Sequence, residues 1–310
     1  MDLSIVIVSW NVRDLLAACL QSIINHSDDL DLEVIVVDSA SSDGSAALVR
    51  DQFPWVKLIA ATENIGFTRG NNRALSVIQG RHVLLLNPDT VVHSGALKGL
   101  MEYLDTHPQV GIVGPQVLNA DGSTQSTRRR FPTRITALFE STWLQGLAPR
   151  EVLDQFYMAD QPDDGTFEVD WVQGCALMAR RAVYDQIGGL DEGYVMFSEE
   201  LDWCKRANAA EWRAAYVGSA KITHYGGKST EQVQANKHIY FQRSKIRYFR
   251  KFHGPKFALA LWLFLLFSYL SQIMIESLKA LLGSKRDLRQ ARIHTYRQVI
   301  RALAGAYRND

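Results

Sequence analysis

The chain is poor in cysteine: its 310 residues carry three, Cys19, Cys175 and Cys204, widely spaced and odd in number. That spacing supports neither a disulfide framework nor a paired-thiol metal site, and it suits a reducing cytosol. Glycine is absent before Gly44. The turn after the first apolar run is Ser9-Trp10-Asn11-Val12 rather than a glycine-rich basic loop that cradles a triphosphate, which argues against a sugar-phosphate nucleotidyltransferase. Gly227-Lys228-Ser229 has Ile222 where a phosphate-binding loop needs its upstream glycine, so a P-loop kinase is also disfavoured. No basic segment or small-residue cleavage pattern precedes the apolar run at Leu3, and no export signal is expected. Internal repeats and low-complexity tracts are missing too.

What is present is ordinary globular material, 47% hydrophobic and 22% charged, enough for a sizeable core. The net charge of +1 conceals an asymmetry: residues 231–310 hold 15 Lys and Arg against 4 Asp and Glu, leaving residues 1–230 at −10. The two parts face different partners. Over the first, short β-branched or leucine-rich runs alternate with amphipathic stretches. Strands are expected at Leu3–Ser9, Leu32–Val37, Val56–Ala60 and His82–Leu86. Helices are expected after Asn11, after Ser42, at Thr68–Gln79 and at Ser94–Thr106, with Asn11 and Ser42 as N-caps. This repeated βα unit predicts an α/β fold with a mostly parallel central sheet. Past Gly111–Leu118 the pattern loosens as far as Glu168, a stretch expected to border the active site, and resumes with strands at Val169–Gln173 and Ala176–Ala179 and helices at Arg181–Ile187 and Leu201–Ala210. Within it, Arg128-Arg129-Arg130 reads as a solvated basic loop, with contact to donor or acceptor phosphates as the alternative.

An α/β domain is therefore expected over residues 1–230 and a basic, helical, membrane-associating region over 231–310. Phe257–Ile275 is uncharged for 19 residues, near the roughly 20 needed to cross a bilayer core. A buried core helix would need a partner layer that Ser277–Asp310 hardly supplies, so membrane lipid is the expected partner. Lys and Arg crowd both flanks, and the positive-inside rule leaves spanning and in-plane arrangements both open. Past Gly283, Arg286, Arg289, Arg292, Arg297 and Arg301 are interleaved with Leu288, Ile293, Tyr296, Ile300 and Leu303, the pattern of a basic surface helix drawn to anionic lipid. No base-reading or stacking motif accompanies this charge, and nucleic acid is not expected.

Three acidic clusters stand out: Asp38 after Val34–Val37, Asn87-Pro88-Asp89 after Val83–Leu86, and Glu199, Glu200 and Asp202 downstream. The first two sit at strand C-termini, the edge of an open parallel sheet where ligands bind. Asp89 can hold a divalent cation against a diphosphate, or merely start a turn. Asp38, followed by Ser39, Ser41, Ser42, Asp43 and Gly44, can accept hydrogen bonds from a nucleobase and ribose, or cap a helix. Glu199, Glu200 and Asp202 can be dipole-stabilised acids of a first helical turn. A carboxylate held partly out of water beside a like charge, however, has its pKa pushed up, as a general base requires. His224 is either a structural strand-end histidine or, beside a metal, a ligand.

Taken together, Val8-Ser9-Trp10-Asn11, Val37-Asp38-Ser39-Ala40-Ser41-Ser42-Asp43-Gly44, Asn64-Ile65-Gly66-Phe67, Leu86-Asn87-Pro88-Asp89, Gly174-Cys175-Ala176 and Phe197-Ser198-Glu199-Glu200-Leu201-Asp202 resemble the inverting family-2 glycosyltransferases of GT-A fold. The resemblance covers roughly residues 3–230 and is strongest to the bacterial rhamnosyltransferase-like branch of cell-surface polysaccharide synthesis. It implies that Asp38 binds the nucleobase region, with Ser9, Asn11, Asp43, Asn64, Gly66 and Asn87 on the same donor-nucleotide side. It also implies that Asp89, with His224, holds Mg²⁺ or Mn²⁺ and that Glu200 is the base, with Glu199 or Asp202 able to share the role. Two positions depart from the family pattern: Asn87 is neutral where the metal motif has its first acid, and Glu200 replaces the usual Asp. The implied reaction moves a sugar such as rhamnose from a nucleoside-diphosphate sugar to a polyprenyl-diphosphate-linked glycan, with inversion, at the cytoplasmic face of the bacterial inner membrane. A membrane-tethered scaffold that binds nucleotide sugar without turnover is the non-enzyme alternative.

Overall fold

The structure, a computed structural model, describes residues 1–27, 29–226, 234–283 and 285–309. The expected boundary at residues 230 and 231 and the Gly227-Lys228-Ser229 segment lie outside the described residues. In chain order the elements are β1 (Leu3–Ser9), α1 (Arg13–Asn25), β2 (Leu32–Asp38), α2 (Ser45–Gln52), β3 (Lys57–Ala60), α3 (Gly66–Leu75), β4 (His82–Leu86), β5 (Thr90–Val92), α4 (Ala96–Thr106), β6 (Val110–Leu118), β7 (Thr124–Gln125) and β8 (Arg128–Arg129). There follow α5 (Arg134–Phe139), α6 (Arg150–Tyr157), β9 (Thr166–Val169), β10 (Trp171–Val172), β11 (Ala176–Arg180), α7 (Arg181–Ile187), α8 (Glu199–Ala209), β12 (Arg213–His224), α9 (Gln234–His253), α10 (Pro255–Leu281) and α11 (Arg286–Asn309).

The chain divides into two compact units. The first comprises Met1–Phe131, Asp154–Val195 and the chain from Glu199 to the undescribed stretch. Its sheet runs β3-β2-β1-β4-β11-β6-β12-β5, with β7 beside β6 and β9 beside β12. Strands β1, β2, β3 and β4 are mutually parallel, and β6 is parallel to β12, whereas β11 is inserted antiparallel between β4 and β6. The apolar runs form central strands because both faces are covered: every residue of β1 and of β4 is buried. Alternate residues serve opposite faces. Leu3, Ile5 and Ile7 join Val34, Val36, Leu84 and Leu86 in a core closed by Leu16, Leu20 and Ile23 of α1 and Leu97, Leu100 and Leu104 of α4. On the other face α3 lies so close to β1 that a Cβ on Gly70 would come within 2.8 Å of Val8 Cγ1, so glycine is required there.

Several element ends differ from expectation. Val12, not Asn11, occupies the N-cap of α1 and makes no side-chain cap bond, because Asn11 sits in the left-handed region at φ 52° and turns its side chain to a neighbouring loop. Helix α2 starts at Ser45 rather than near Ser42, since Gly44 takes φ 87° and the Ser45 N–H is met by Asp43 Oδ1 at 3.0 Å. Helix α3 covers Gly66–Leu75, and α8 begins at Glu199, two residues before the expected start.

Of the arginine triplet, Arg128 and Arg129 are buried rather than solvated, and Arg130 is exposed as expected. Strand β8 pairs with β10, and Arg128 is buried beside the rings of Phe167 and Tyr216, with its guanidinium 2.8 Å from Asp163. Arg129 lies 4.5 Å over the Tyr157 ring, and Arg130 pairs with Asp170 at 3.3 Å. Aromatic and acidic partners 28 to 88 residues downstream neutralise what reads locally as a basic run.

The second unit comprises Pro132–Leu153, Met196–Ser198 and α9 to α11. Helix α9 grips the two shorter segments: Ser244 Oγ donates to the Met196 carbonyl at 2.8 Å and Lys245 Nζ to the Glu140 carbonyl at 2.7 Å. Burial pushes the Lys245 ammonium below its ordinary range, against the opposing pull of Glu140. Helices α10 and α11 run antiparallel, tied by Trp262 Nε1 to the Leu303 carbonyl at 3.0 Å, by the Tyr269 and Tyr296 rings at 5.7 Å, and by Glu276 to Arg289 at 2.7 Å. The tail therefore does supply a partner for the apolar helix, correcting the expectation that it could not. Val299 and Leu303, one turn apart and fully buried, make that possible. By length and composition α10, at 27 residues and a mean hydropathy of 2.0, is able to cross a membrane.

Candidate active site at the strand ends

Parallel pairing sets Ser9 and Asp38 side by side at the C-terminal ends of β1 and β2. Asp38 is buried; its Oδ2 accepts from Ser41 N at 3.0 Å, while Oδ1, like the buried Ser9 Oγ, meets no partner among the described residues. Buried oxygens left unsatisfied are costly and imply a ligand or solvent donor. Asn64 supports this edge, accepting from Ser39 Oγ and Gly66 N, both at 3.0 Å, and Gly66 takes φ 76° to start α3. Asn11 and Asp43 instead brace the loops to one another. Asn11 Oδ1 accepts from Ser42 N at 2.8 Å, and Asp43 accepts from Arg13 N at 2.8 Å and Ser45 Oγ at 2.6 Å. Burial alone would raise the Asp43 pKa, but these hydrogen bonds outweigh it and hold the carboxyl below its usual range.

At the end of β4, Asn87 N donates to the Cys175 carbonyl and the chain turns through Pro88 into β5. Strand β12 pairs antiparallel with β5 so that His224 faces Thr90, which carries the imidazole to Asp89 across 135 residues of sequence. His224 Nε2 lies 3.3 Å from Asp89 Oδ1 and 3.4 Å from Asn87 Nδ2. Gln125, which sequence reasoning passed over, clamps the histidine from behind: its Nε2 donates to the His224 carbonyl at 2.7 Å and its Oε1 sits 3.0 Å from Nδ1. That fixes Nδ1 as the proton-bearing nitrogen. Nε2 then faces the buried Asp89 carboxylate and the Asn87 amide. Among the described residues no group of three or more His, Cys, Asp or Glu forms a complete cage. One carboxylate, one imidazole and a rotatable amide make a half-site suited to a divalent cation whose remaining ligands are phosphate and water.

The acidic group opens α8. Glu199 is buried, and burial first, then the charge of Glu200, raises its pKa well above the usual carboxylate range. Glu200 is half-buried, and its Oε1 lies 3.4 Å from the Gly174 N–H. The Gly174-Cys175 segment thus touches both chemistries, Glu200 through Gly174 and Asn87 through the Cys175 carbonyl. The Cys175 thiol between them is pushed up to about 12, by burial and then by the charges of Asp89 and Glu200, and is inert as a nucleophile. Asp202 is oriented elsewhere: fully buried, it accepts from Arg206 Nε at 2.7 Å and from the Tyr194 hydroxyl at 3.3 Å. Arg206 in turn ties down the carbonyls of Ile187 and Gly189.

The mostly parallel sheet, with its unsatisfied buried oxygens at the strand ends, is an α/β fold of the GT-A type, and solved structures agree with that fold. A mannosyltransferase from Pyrobaculum calidifontis, determined with GDP-mannose and Mn²⁺, is similar at a TM-score of 0.58 and 17% identity, over 97% of this chain and 85% of that one. GalNAc-T7, determined with UDP, GalNAc and Mn²⁺, is similar at a TM-score of 0.54 and 14% identity, over 72% and 43%. With residues 4–187 matched by the model of glycosyl transferase family 2, this chain belongs to that family and is a glycosyltransferase. It is 27% identical over 216 residues to the N-acetylglucosaminyl-diphospho-decaprenol L-rhamnosyltransferase of Mycobacterium tuberculosis, covering 66% of this chain and 70% of that protein. It is 22% identical over 252 residues to the rhamnosyltransferase WbbL of Escherichia coli, covering 79% and 91%. The nucleotidyltransferase and inactive-scaffold readings lose their ground.

Proposed function

We propose that the protein transfers a sugar, rhamnose being the first candidate, from a nucleoside-diphosphate donor to a hydroxyl of a polyprenyl-diphosphate-linked glycan, inverting the anomeric configuration. The carrying observation is the Gly174-Cys175 bridge, which fastens the Glu200 carboxylate to the same backbone segment as the Asn87–Asp89 turn. Donor and base are thereby held in one frame. The names of the relatives support the sugar and the lipid-linked acceptor.

Ser9 and Asp38, with Asn64 and Gly66 behind them, receive the nucleoside, and Asn11 and Asp43 hold the loops that shape that pocket. Asp89 and His224, with Asn87, would hold Mg²⁺ or Mn²⁺, which when bound neutralises charge on the departing diphosphate. Glu200 takes the proton of the acceptor hydroxyl as its oxygen bonds to the anomeric carbon. The bond from that carbon to the diphosphate breaks on the opposite face, so configuration inverts. Glu199, buried and with its pKa raised by burial and by the Glu200 charge, lies beside the base. Asp202 positions α8 through Arg206. The C-terminal unit associates with membrane lipid and places the site at the cytoplasmic face of the inner membrane, where such an acceptor resides.

A panel of nucleotide sugars, screened for donor hydrolysis and for protection against unfolding with and without Mn²⁺, tests this reading. A donor present at 100 times its Kd should stabilise the protein by about 2.7 kcal/mol. Asp89→Ala should remove the Mn²⁺-dependent part of that gain and leave the fold intact. No protection by any nucleotide sugar would overturn the assignment.

A further inference from the structure

On one side of α10 the residues Ala258, Leu261 and Leu265 are buried. The other side carries Leu259, Leu263, Phe267, Leu270, Met274 and Leu278, which are 39% to 65% exposed. Their spacing of three or four residues puts them on one continuous stripe along the whole helix. An exposed apolar stripe of this length marks an interaction surface. Its surroundings are strongly basic: residues 234–309 hold 15 Lys and Arg against Glu276 and Asp287 alone, and Glu276 is taken up by Arg289. Such a surface complements anionic lipid headgroups.

A 27-residue helix is about 40 Å long and could cross a bilayer. Its partner forbids this. The contacts Trp262 to Leu303, Tyr269 to Tyr296 and Glu276 to Arg289 recur every seven residues on each helix, so α11 accompanies α10 from Trp262 to Glu276, the central half of its length. Arg292, Arg297 and Arg301, all exposed, lie between the outermost of these contacts, Arg292 sharing Glu276 with Arg289 at 3.6 Å. If α10 stood upright in the membrane, these three charges would be carried into the hydrocarbon, where they are costly. The same helix laid flat sinks its stripe into the acyl boundary and leaves the arginines at headgroup level.

Resting on the membrane reading of the C-terminal unit, we propose that α10 docks in the plane of an anionic bilayer through the Leu259–Leu278 stripe and does not span it, so that α11 stays on the same side as the catalytic unit. The test uses the full-length protein in inverted inner-membrane vesicles. Single cysteines are introduced by Gln290→Cys in α11 and, as a same-side control, Asp51→Cys in α2, both exposed positions; the native cysteines are buried. An impermeant maleimide should label both to the same extent without detergent. Gln290→Cys protected until detergent is added means that α10 spans, which overturns in-plane docking but keeps the membrane reading. Recovery of the protein in the soluble fraction, with no binding to phosphatidylglycerol vesicles, overturns both. Phe267→Asp and Met274→Asp, which alter exposed side chains only, should each lower partition onto those vesicles at least ten-fold with unchanged thermal unfolding in solution. Undiminished binding of both variants would remove the stripe from the contact.

Discussion

Asp89 Oδ1 and His224 Nε2 stand 3.3 Å apart in a site where Gln125 claims the other imidazole nitrogen. Gln125 cannot rotate freely, because its amide nitrogen is already committed to the His224 carbonyl. The pair is thus held by a third residue. This is the way ligating histidines are commonly oriented, and removal of such a partner typically weakens metal affinity by 10–100-fold.

Gln125→Ala should therefore weaken Mn²⁺ binding by about 10–100-fold, while donor binding in the presence of a chelator is unchanged. Gln125→Glu, which keeps the acceptor for Nδ1, should recover most of the affinity. Titration of Mn²⁺ followed by electron paramagnetic resonance reads this directly. An Ala variant with wild-type affinity would show that His224 is not a ligand.

The contrast between Asp89 and Gln125 shows what a sequence makes legible. Asp89 comes just after the four-residue apolar run Val83–Leu86, too short for a helix, so its place at a strand end is visible locally. Gln125 lies in the two-residue strand β7, whose existence depends on pairing with Val117 and Leu118 of β6 and has no periodic signal of its own. Asn11 and Asp43 have the right composition for ligand contact, yet the structure uses their short side chains to join two loops 30 residues apart. Arg128 and Arg129 look solvated because the rings that cover them, Tyr216 and Tyr157, arrive from elsewhere in the chain. Strand type and order are local properties; loop-to-loop bracing and side-chain burial are tertiary ones.

Asp202 carries no chemistry in this scheme, and Asp202→Asn should separate structure from catalysis. Removing one partner of a buried ion pair typically costs about 3–5 kcal/mol. The cost here should fall at or below the lower end, since the Arg206 side chain keeps 22% of its exposure. Chemical denaturation should show that loss, while kcat of the folded enzyme changes less than about ten-fold, the figure for one pKa unit of free energy. A kcat loss of general-base size with unaltered stability would transfer the base role to Asp202.

Burial and the Glu200 charge raise the pKa of Glu199 in the folded state. A carboxyl whose folded pKa lies above its unfolded one binds more protons when folded, so stability must fall as pH rises from the ordinary Glu range toward the raised value. Glu199→Gln removes that titration and keeps the volume. The variant should match the wild type near pH 4 and become the more stable of the two as pH rises toward neutrality. Unfolding by urea at a series of pH values checks it; parallel curves for the two proteins would mean that Glu199 is ionised in the fold.

Glu200 is half-buried whereas Glu199 and Asp202 are buried, so of the three acids it is the candidate to meet an acceptor hydroxyl. Glu200→Gln preserves shape and removes proton acceptance only. General-base catalysis typically contributes about 10²–10⁴-fold, and kcat should fall by that order with KM for the donor near the wild-type value, because Ser9, Asp38 and Asp89 are untouched. Glu200→Asp, which carries the residue usual at this position in the family that the motifs resemble, should keep more activity than the Gln variant, with a deficit due to reach alone. The decisive comparison is made under single-turnover conditions, where release of product does not mask the chemical step. If Glu200→Gln transfers sugar at the wild-type rate there, the base lies elsewhere, and Glu199, deprotonated on substrate binding, becomes the residue to test.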